Sequence, residues 1–374
     1  MRLALIAFSD TGEALANRIA EGLSSGVQRA ESSGTAENTE SRAEMICEVS
    51  RCPRDTKLAV WTKTHFDAAD GLVFVGAAGI AVRAIAPYVK SKATDPAVVV
   101  VDELGQYAIS LLSGHLGGGN ELTLRIAEAS GAAPVITTAT DIHGQFAVDD
   151  WARTQGLRVH NKAMIKEVSS AVLRGETIPF ISAHTVLGNA PAGIAEGKTD
   201  PRPEGTDTPA ITLAVQKSGA AARPHTLVLV PQAVCIGIGC RKGIAQEAIE
   251  EAWQAFLEEN AIFEEAVCTA ATIDLKKNEA GLLAFCKAHD WPLRIYSADQ
   301  LIEAPAVPGG YTPSAFVEQT TGVANVCERC AVYAAEEMGV QEEALGHPRL
   351  LVRKTAHNGV TLAAAVRPLA LYWK

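Results

Sequence analysis

The sequence predicts a multidomain α/β protein of two or three domains. These are an N-terminal α/β domain with a mixed sheet and glycine-rich loops, a middle α/β segment and a C-terminal α/β domain. Three observations carry that prediction. Uninterrupted apolar runs such as Val98–Val101 read as strands buried on both faces, and they alternate with stretches of helical spacing. Glycine-bearing turns join several of these strands to the helices that follow. Ala, Val and Gly dominate, while aromatic residues make up only 5% of the chain, which suits helices packed closely on sheets.

Arg2–Phe8 is the first expected strand, and a helix follows from about Glu13 to Gly22. Residues 24–55 are rich in Ser, Glu, Thr and Arg with few large apolar side chains, so they read as a flexible surface insertion that the fold can spare. Asp70–Gly76 is a second strand, and Ala77–Arg83 leads into a helix ending near Pro87. Val98–Val101 and Tyr107–Leu112 form an expected hairpin across Glu103–Gln106. The second arm runs into Ser113–Asn120, with Asn120 as N-cap of a helix over Glu121–Ala129. Ala133–Thr137 is a strand, Thr138–Gly144 a loop bearing Asp141 and His143, and Phe146–Gly156 a helix whose Asp149 and Asp150 suit the helix dipole. A helix at Lys162–Leu173 and strands at Ile178–Ser182 and Ala210–Val215 follow, with Ser218–Pro224 as the main linker.

Thr226–Val230 and Val234–Ile238 restart a sheet, and Gly237–Gly243 leads into a helix over Ile244–Leu257. Further strands are expected at Ala266–Ala271, Leu293–Tyr296 and Arg349–Thr355. His357-Asn358-Gly359 is a hairpin turn. The resulting domains are 1–137, 138–217 and 226–374.

A net charge of −10 argues against general nucleic-acid binding. Eight cysteines scattered along a chain without a secretory signal do not suggest a disulfide framework, and no apolar run approaches a membrane span. A cytoplasmic protein is expected.

The stretch Ser113-Gly114-His115-Leu116-Gly117-Gly118-Gly119-Asn120 delivers glycines and a histidine onto a helix N-terminus, which suits an anion or a developing oxyanion. The plain alternative is an αβ turn with an exposed histidine. The run is neither a Walker loop nor GxGxxG. Open α/β sheets bind ligands at the carboxyl ends of their strands, so the loops at Gly76–Gly79 and Ser113–Asn120 are expected to share one crevice, with Arg83, Lys90 and Lys92 just beyond as candidate positive charges. Gly237–Gly243 is a weak dinucleotide signal, and Arg241 and Lys242 make a better anion grip. Cys327 and Cys330 form a CxxC that reads either as a redox or metal pair or as small packing residues on a helix.

Taken together, Gly76–Arg83, Asp95–Glu121, Ala139-Thr140-Asp141 followed by Asp149, Gly237–Gly243, Ile273-Asp274-Leu275-Lys276 with Glu279, Thr321-Gly322-Val323 with Cys327-Glu328, and Lys354-Thr355 closely resemble the cobalt-precorrin-5A hydrolase (CbiG) family. The resemblance spans nearly the whole chain except residues 24–55 and about 188–224, and SGHLGGGNE is its most specific part. It implies an enzyme of anaerobic cobalamin biosynthesis that opens the δ-lactone of cobalt-precorrin-5A and releases acetaldehyde, giving cobalt-precorrin-5B. It implies a corrinoid substrate that carries its own cobalt, no further cofactor or protein metal site, and transient contact with neighbouring methyltransferases of the pathway.

For that chemistry His115 is the chosen general base, with Asp102 or Glu103 orienting it or acting as a second base. The N–H groups of Gly117–Gly119 and the Asn120 amide are the expected oxyanion hole. Gly76, Gly79, Arg83, Ser113, Gly117, Gly118, Arg241, Lys242 and Lys354 are the expected substrate contacts. Rival readings are a non-catalytic corrinoid carrier and a nucleotide-dependent enzyme using Gly237–Gly243.

Overall fold

The computed structural model describes residues 1–31, 45–91, 94–138, 144–340 and 345–373; Lys92, Asp141, His143 and residues 32–44 of the expected insertion lie outside them. The chain forms two compact units, Met1–Arg153 and Thr154–Lys374.

The first unit is a six-stranded sheet of order β2-β1-β3-β4-β5-β6, built from β1 (Arg2–Ala7), β2 (Ile46–Arg51), β3 (Gly71–Val75), β4 (Ala97–Val101), β5 (Tyr107–Leu112) and β6 (Ala133–Val135). Strands β1 to β4 are mutually parallel and β5 turns back antiparallel to β4. The apolar runs are continuous because both faces are covered. Leu5, Val73, Val99 and Val101 pack beneath helices α1 (Asp10–Glu31) and α4 (Gly119–Ser130), which contribute Leu15, Ile19, Leu122 and Ile126. Ile6, Leu72, Phe74 and Val100 face α2 (Leu58–His65) and α3 (Ala78–Ile85) through Trp61, Ala81 and Ile85. A further helix, α5 (Val148–Thr154), closes the unit.

Strand β2 corrects the sequence reading of residues 24–55. Its six residues pair in register with all of β1, and Met45 just before it is buried. The pattern was masked because an edge strand with one partner needs few large apolar residues. Deleting 24–55 is therefore expected to expose the whole outer edge of β1 and to yield aggregated protein, checked by soluble yield and thermal melting against the intact chain.

The second unit holds two five-stranded sheets. The middle one has order β10-β8-β11-β12-β7, from β7 (Arg158–Val159), β8 (Ile178–Ser182), β10 (Ile194–Gly197), β11 (Ala210–Leu213) and β12 (Thr226–Val230), with α6 (Met164–Leu173) beside it. Thr226–Val230, expected to open the C-terminal sheet, instead pairs with β11 and β7 here. The glycine- and proline-rich region before it is held by a buried arginine rather than left as a free linker. Arg202 makes a two-toothed ion pair with Asp200 (3.0 and 2.8 Å) and donates to Thr208 O at 2.7 Å, His225 O at 3.1 Å and Thr226 Oγ1 at 2.6 Å.

The C-terminal sheet has order β15-β14-β13-β17-β16, from β13 (Val234–Cys240), β14 (Val267–Ile273), β15 (Leu293–Tyr296), β16 (Arg349–His357) and β17 (Val360–Val366). Helices α7 (Gln246–Asn260) and α8 (Ala280–Ala288) cover one face with Ile249, Trp253, Phe256 and Phe285, and Val215 after β11 joins Val228 and Val230 of β12 in the same core. Two short helices, α9 (Ala298–Ile302) and α10 (Ala315–Thr321), precede α11 (Cys327–Glu337) on the other face. Gly237 is required there: a Cβ on it would lie 1.7 Å from Cys327 O. The hairpin at Asn358-Gly359 joins β16 to β17 as expected, both residues having positive φ. A short pair, β9 (Val186–Leu187) with β18 (Leu371–Tyr372), ties the C-terminal residues to the middle segment. Among the described residues no helix is long and apolar enough to cross a membrane.

His184 follows β8 and is largely buried; burial, and then the nearby Arg349 charge, bring its pKa down to about 4 from 6.5. The unfolded chain therefore binds a proton between those values that the folded chain does not. Stability should fall as pH drops below 6.5, by roughly 1.4 kcal/mol per pH unit until about 4. His184→Asn should flatten that slope, measured as the difference between the two proteins in denaturant titrations across pH 4 to 7.

Candidate functional site

The β4–β5 hairpin decides where the glycine-rich loop lies. Val101 pairs with Ala108 and Val98 with Leu112, so β5 finishes beside the start of β4. The loop Ser113–Asn120 therefore sits at the amino ends of the parallel strands. Gly76 donates its N–H to Val101 O at 2.8 Å, which puts Gly76, Gly79 and Arg83 at the carboxyl ends. The two loops do not share a crevice, contrary to the expectation from sequence. The rule of carboxyl-end sites presumes strands that all run one way, and β5 does not.

Asp102 and Glu103 go with the far end too. The Asp102 carboxylate accepts from Leu104 N at 3.0 Å and Tyr107 N at 2.6 Å, capping its own turn. Glu103 accepts a hydrogen bond from the Ser9 hydroxyl. Neither orients His115. Arg83 is exposed and donates to Gly79 O at 3.1 Å.

The carboxylate that does stand by His115 is Asp149, in the first turn of α5, with Oδ1 3.3 Å from His115 Nδ1. Both side chains are mostly enclosed, at 15% and 7% exposure. Asp149 was read from sequence as a dipole-matching residue. The signal that would have exposed it is its place on the inward face of α5, beside Val148 and one turn before Ala152, which are both buried. Arg153, one turn on, pairs with Glu121 of α4 at 2.7 Å and Asp150 at 2.9 Å, tying α5 to the helix that the loop opens.

The loop is curled upon itself. Ser113 is buried at φ 56°, and among the described residues its Oγ has no hydrogen-bond partner. Gly117 passes so close that a Cβ there would lie 2.4 Å from Ser113 Cβ, so no larger residue fits. Three N–H groups at the start of α4 are satisfied by the loop itself: Gly118 by His115 O (2.8 Å), Gly119 by Ser113 O (3.0 Å) and Asn120 by Gly114 O (2.9 Å). The expected oxyanion hole is thus corrected at Gly118 and Gly119, whose donors are already used. Asn120 is neither N-cap nor catalytic amide. Gly118 caps α4, and the buried Asn120 side chain accepts from Ser110 Oγ at 2.7 Å and donates to Thr138 Oγ1 at 2.9 Å, latching helix to strand.

In the second unit, several of the motifs meet at the carboxyl ends of β13 and β14. Arg241 and Lys242 are exposed there. Beside them the loop holds a carboxylate of its own: Gly243 N donates to Glu279 Oε2 at 2.8 Å while Lys276 Nζ lies 3.1 Å from Oε1. The Gly243 N–H, and then Lys276, hold the Glu279 carboxyl below its usual range. Lys354 donates its backbone N–H at 2.7 Å to Glu328, a fully buried carboxylate that also takes the N–H and hydroxyl of Thr312 at 2.8 Å each. Cys327 and Cys330 are enclosed between α11 and the sheet; burial pushes the Cys327 thiol up to about 12 and the Cys330 thiol well above its usual value. They pack rather than react.

Three family models match in succession: cobalamin synthesis G N-terminal over residues 60–141, cobalamin biosynthesis central region over 146–231 and cobalamin synthesis G C-terminus over 234–365. The chain is 31% identical to the cobalt-precorrin-5A hydrolase of Priestia megaterium over 81% of this chain and 80% of that one. It is 33% identical to the enzyme of the same name from Salmonella typhimurium over 76% of this chain and 81% of that one. Among solved structures, CobE, a protein from the cobalamin (vitamin B12) biosynthetic pathway, is 27% identical, covering 36% of this chain and 89% of that one with a TM-score of 0.32. With its N-terminal, central and C-terminal parts each matched and its length largely shared with these hydrolases, the chain belongs to the cobalt-precorrin-5A hydrolase (CbiG) family.

Proposed function

We propose that this protein hydrolyses cobalt-precorrin-5A, opening its δ-lactone and releasing acetaldehyde to give cobalt-precorrin-5B, with His115 and Asp149 as the acid–base pair. The activity rests on the relatives of that name, matched over about four-fifths of their length. The assignment of the chemistry within the chain rests on one observation, the enclosed contact between His115, in the most family-specific segment, and Asp149 of α5.

Asp149 at Nδ1 selects the ring tautomer whose Nε2 carries the lone pair. In the first step Nε2 takes a proton from water, hydroxide adds to the lactone carbonyl, and the tetrahedral intermediate collapses. His115 then returns the proton to the departing ring oxygen. In the second step the same nitrogen takes the proton of the freed hydroxyl; the carbon–carbon bond breaks, acetaldehyde leaves, and the electron pair passes into the conjugated macrocycle. The positive end of α4, which starts at Gly119, favours the oxyanion of the first step. Cobalt is carried by the substrate, and this reading asks for no cofactor of the protein. It also places the enzyme in the cytoplasm, among the methyltransferases that precede and follow it.

The test separates enzyme from carrier. Purified protein mixed with cobalt-precorrin-5A should yield acetaldehyde in many-fold excess over protein, read by a coupled alcohol dehydrogenase assay. Tight binding of the corrinoid with no acetaldehyde would make the protein a carrier instead.

A further inference from the structure

The CxxC of α11 draws attention as a redox motif, yet its thiols are locked in the core. A different pair, distant in sequence, lies where oxidation can join it. Cys235 is the second residue of β13 and Cys268 the second of β14, and their Sγ atoms are 3.7 Å apart. Among the described residues, no other two thiols stand at hydrogen-bonding distance from each other. The contact arises from a bulge: Val234 pairs with Val267 but Cys235 pairs with Thr269, so Cys268 is the extra residue and swings towards its neighbour. Cys235 is fully buried, whereas Cys268 is partly exposed.

We propose that Cys235 and Cys268 are an oxidisable dithiol that closes to a disulfide by exchange with a low-molecular-weight disulfide. A disulfide needs sulfurs about 2.05 Å apart, so the two must approach by less than 2 Å from their 3.7 Å separation, at a bulge where the ladder is already interrupted. The environment selects the order of events. The Cys268 thiol is held below its usual range, first by the hydrogen bond from Cys235 and also by the Arg367 guanidinium, and it is the accessible one. Cys268 thiolate attacks the small disulfide, its S–S bond breaks, and one small thiolate leaves, which takes up a proton. Cys235 then gives up its proton and attacks the Cys268 sulfur, expelling the second small thiol. The protein loses two electrons and two protons, and the small disulfide gains them. The product links β13 to β14, the two strands beyond whose far ends lie Arg241–Gly243 and Lys276–Glu279.

The experiment treats the full-length reduced protein with excess oxidised glutathione under native conditions, quenches with N-ethylmaleimide and maps the peptides. The expected result is a linked Cys235–Cys268 peptide, two fewer alkylated thiols than in the untreated chain, and full reversal by dithiothreitol. Cys235→Ser should trap glutathione on Cys268, Cys268→Ser should block both adduct and link, and Cys330→Ala should leave the link intact. Absence of the linked peptide in folded wild-type protein, a link at another pair, or glutathione persisting on wild-type Cys268 would each overturn the proposal. The wild-type map decides the matter even if a variant fails to fold.

Discussion

His115→Ala should release acetaldehyde slower by about 10²–10⁴ while still binding the corrinoid, because a positioned general base is worth about that much. The turn from His115 into α4 is closed by backbone bonds, Gly118 N to His115 O, Gly119 N to Ser113 O and Asn120 N to Gly114 O, which the substitution leaves in place, so the variant should fold. Asp149→Asn should fall by a comparable factor, since an amide at 3.3 Å from Nδ1 no longer selects the same tautomer. Asp102→Asn and Glu103→Gln, at the opposite end of the sheet, should stay within a few-fold of the parent. A His115→Ala protein with near-normal acetaldehyde release would remove this pair from the chemistry; a slow Asp102→Asn beside a fast Asp149→Asn would return the role to the turn residue.

Arg202→Ala should be the most damaging single change to stability outside the cores, at about 3 kcal/mol, because it takes away the buried partner of Asp200 and leaves that carboxylate only the more exposed Arg223 at 3.0 Å. The Arg202 and Asp200 side chains are only 3% and 7% exposed, and Arg202 alone gathers backbone and hydroxyl acceptors from Thr208, His225 and Thr226. Replacing the pair together, Arg202→Met with Asp200→Leu, should recover part of the loss, since the innermost carboxylate is then gone and Arg223, which loses its ion pair, is partly exposed and keeps the Arg202 and Pro203 carbonyls as acceptors. Chemical denaturation of the three proteins checks both statements. A double variant as unstable as Arg202→Ala would mean that the arginine matters for its carbonyl contacts more than for its charge.

Features encoded in neighbouring residues were legible from the sequence. The β4–β5 hairpin, the Asn358-Gly359 turn and the helix after Gly243 all follow from local runs and turn chemistry. What escaped were relations between distant residues. Nothing in Thr226–Val230 says that its partners are β11 and β7 rather than the strand that follows it directly. Ile46–Arg51 is polar enough to pass for a loop until β1 is seen to need an outer neighbour. At the site, the glycines and His115 stood out because such a run is rare. Asp149 did not, because an acidic residue in a first helical turn has an ordinary explanation in the dipole. The CxxC misled in the opposite way: adjacency in sequence suggested chemistry that burial forbids, while the thiols that do touch come from two strands.

The reversal of β5 also makes the first unit energetically divisible. The length of β4, five residues at about 3.3 Å each, separates the ends of the sheet by roughly 16 Å. Substitutions that far apart with no shared partner combine additively. Changes accumulating around Ser9, Gly79 and Glu103 can thus be selected for one property while His115, Asp149 and Arg153 are held for another. A single small domain in this way offers evolution two independent surfaces on one rigid support.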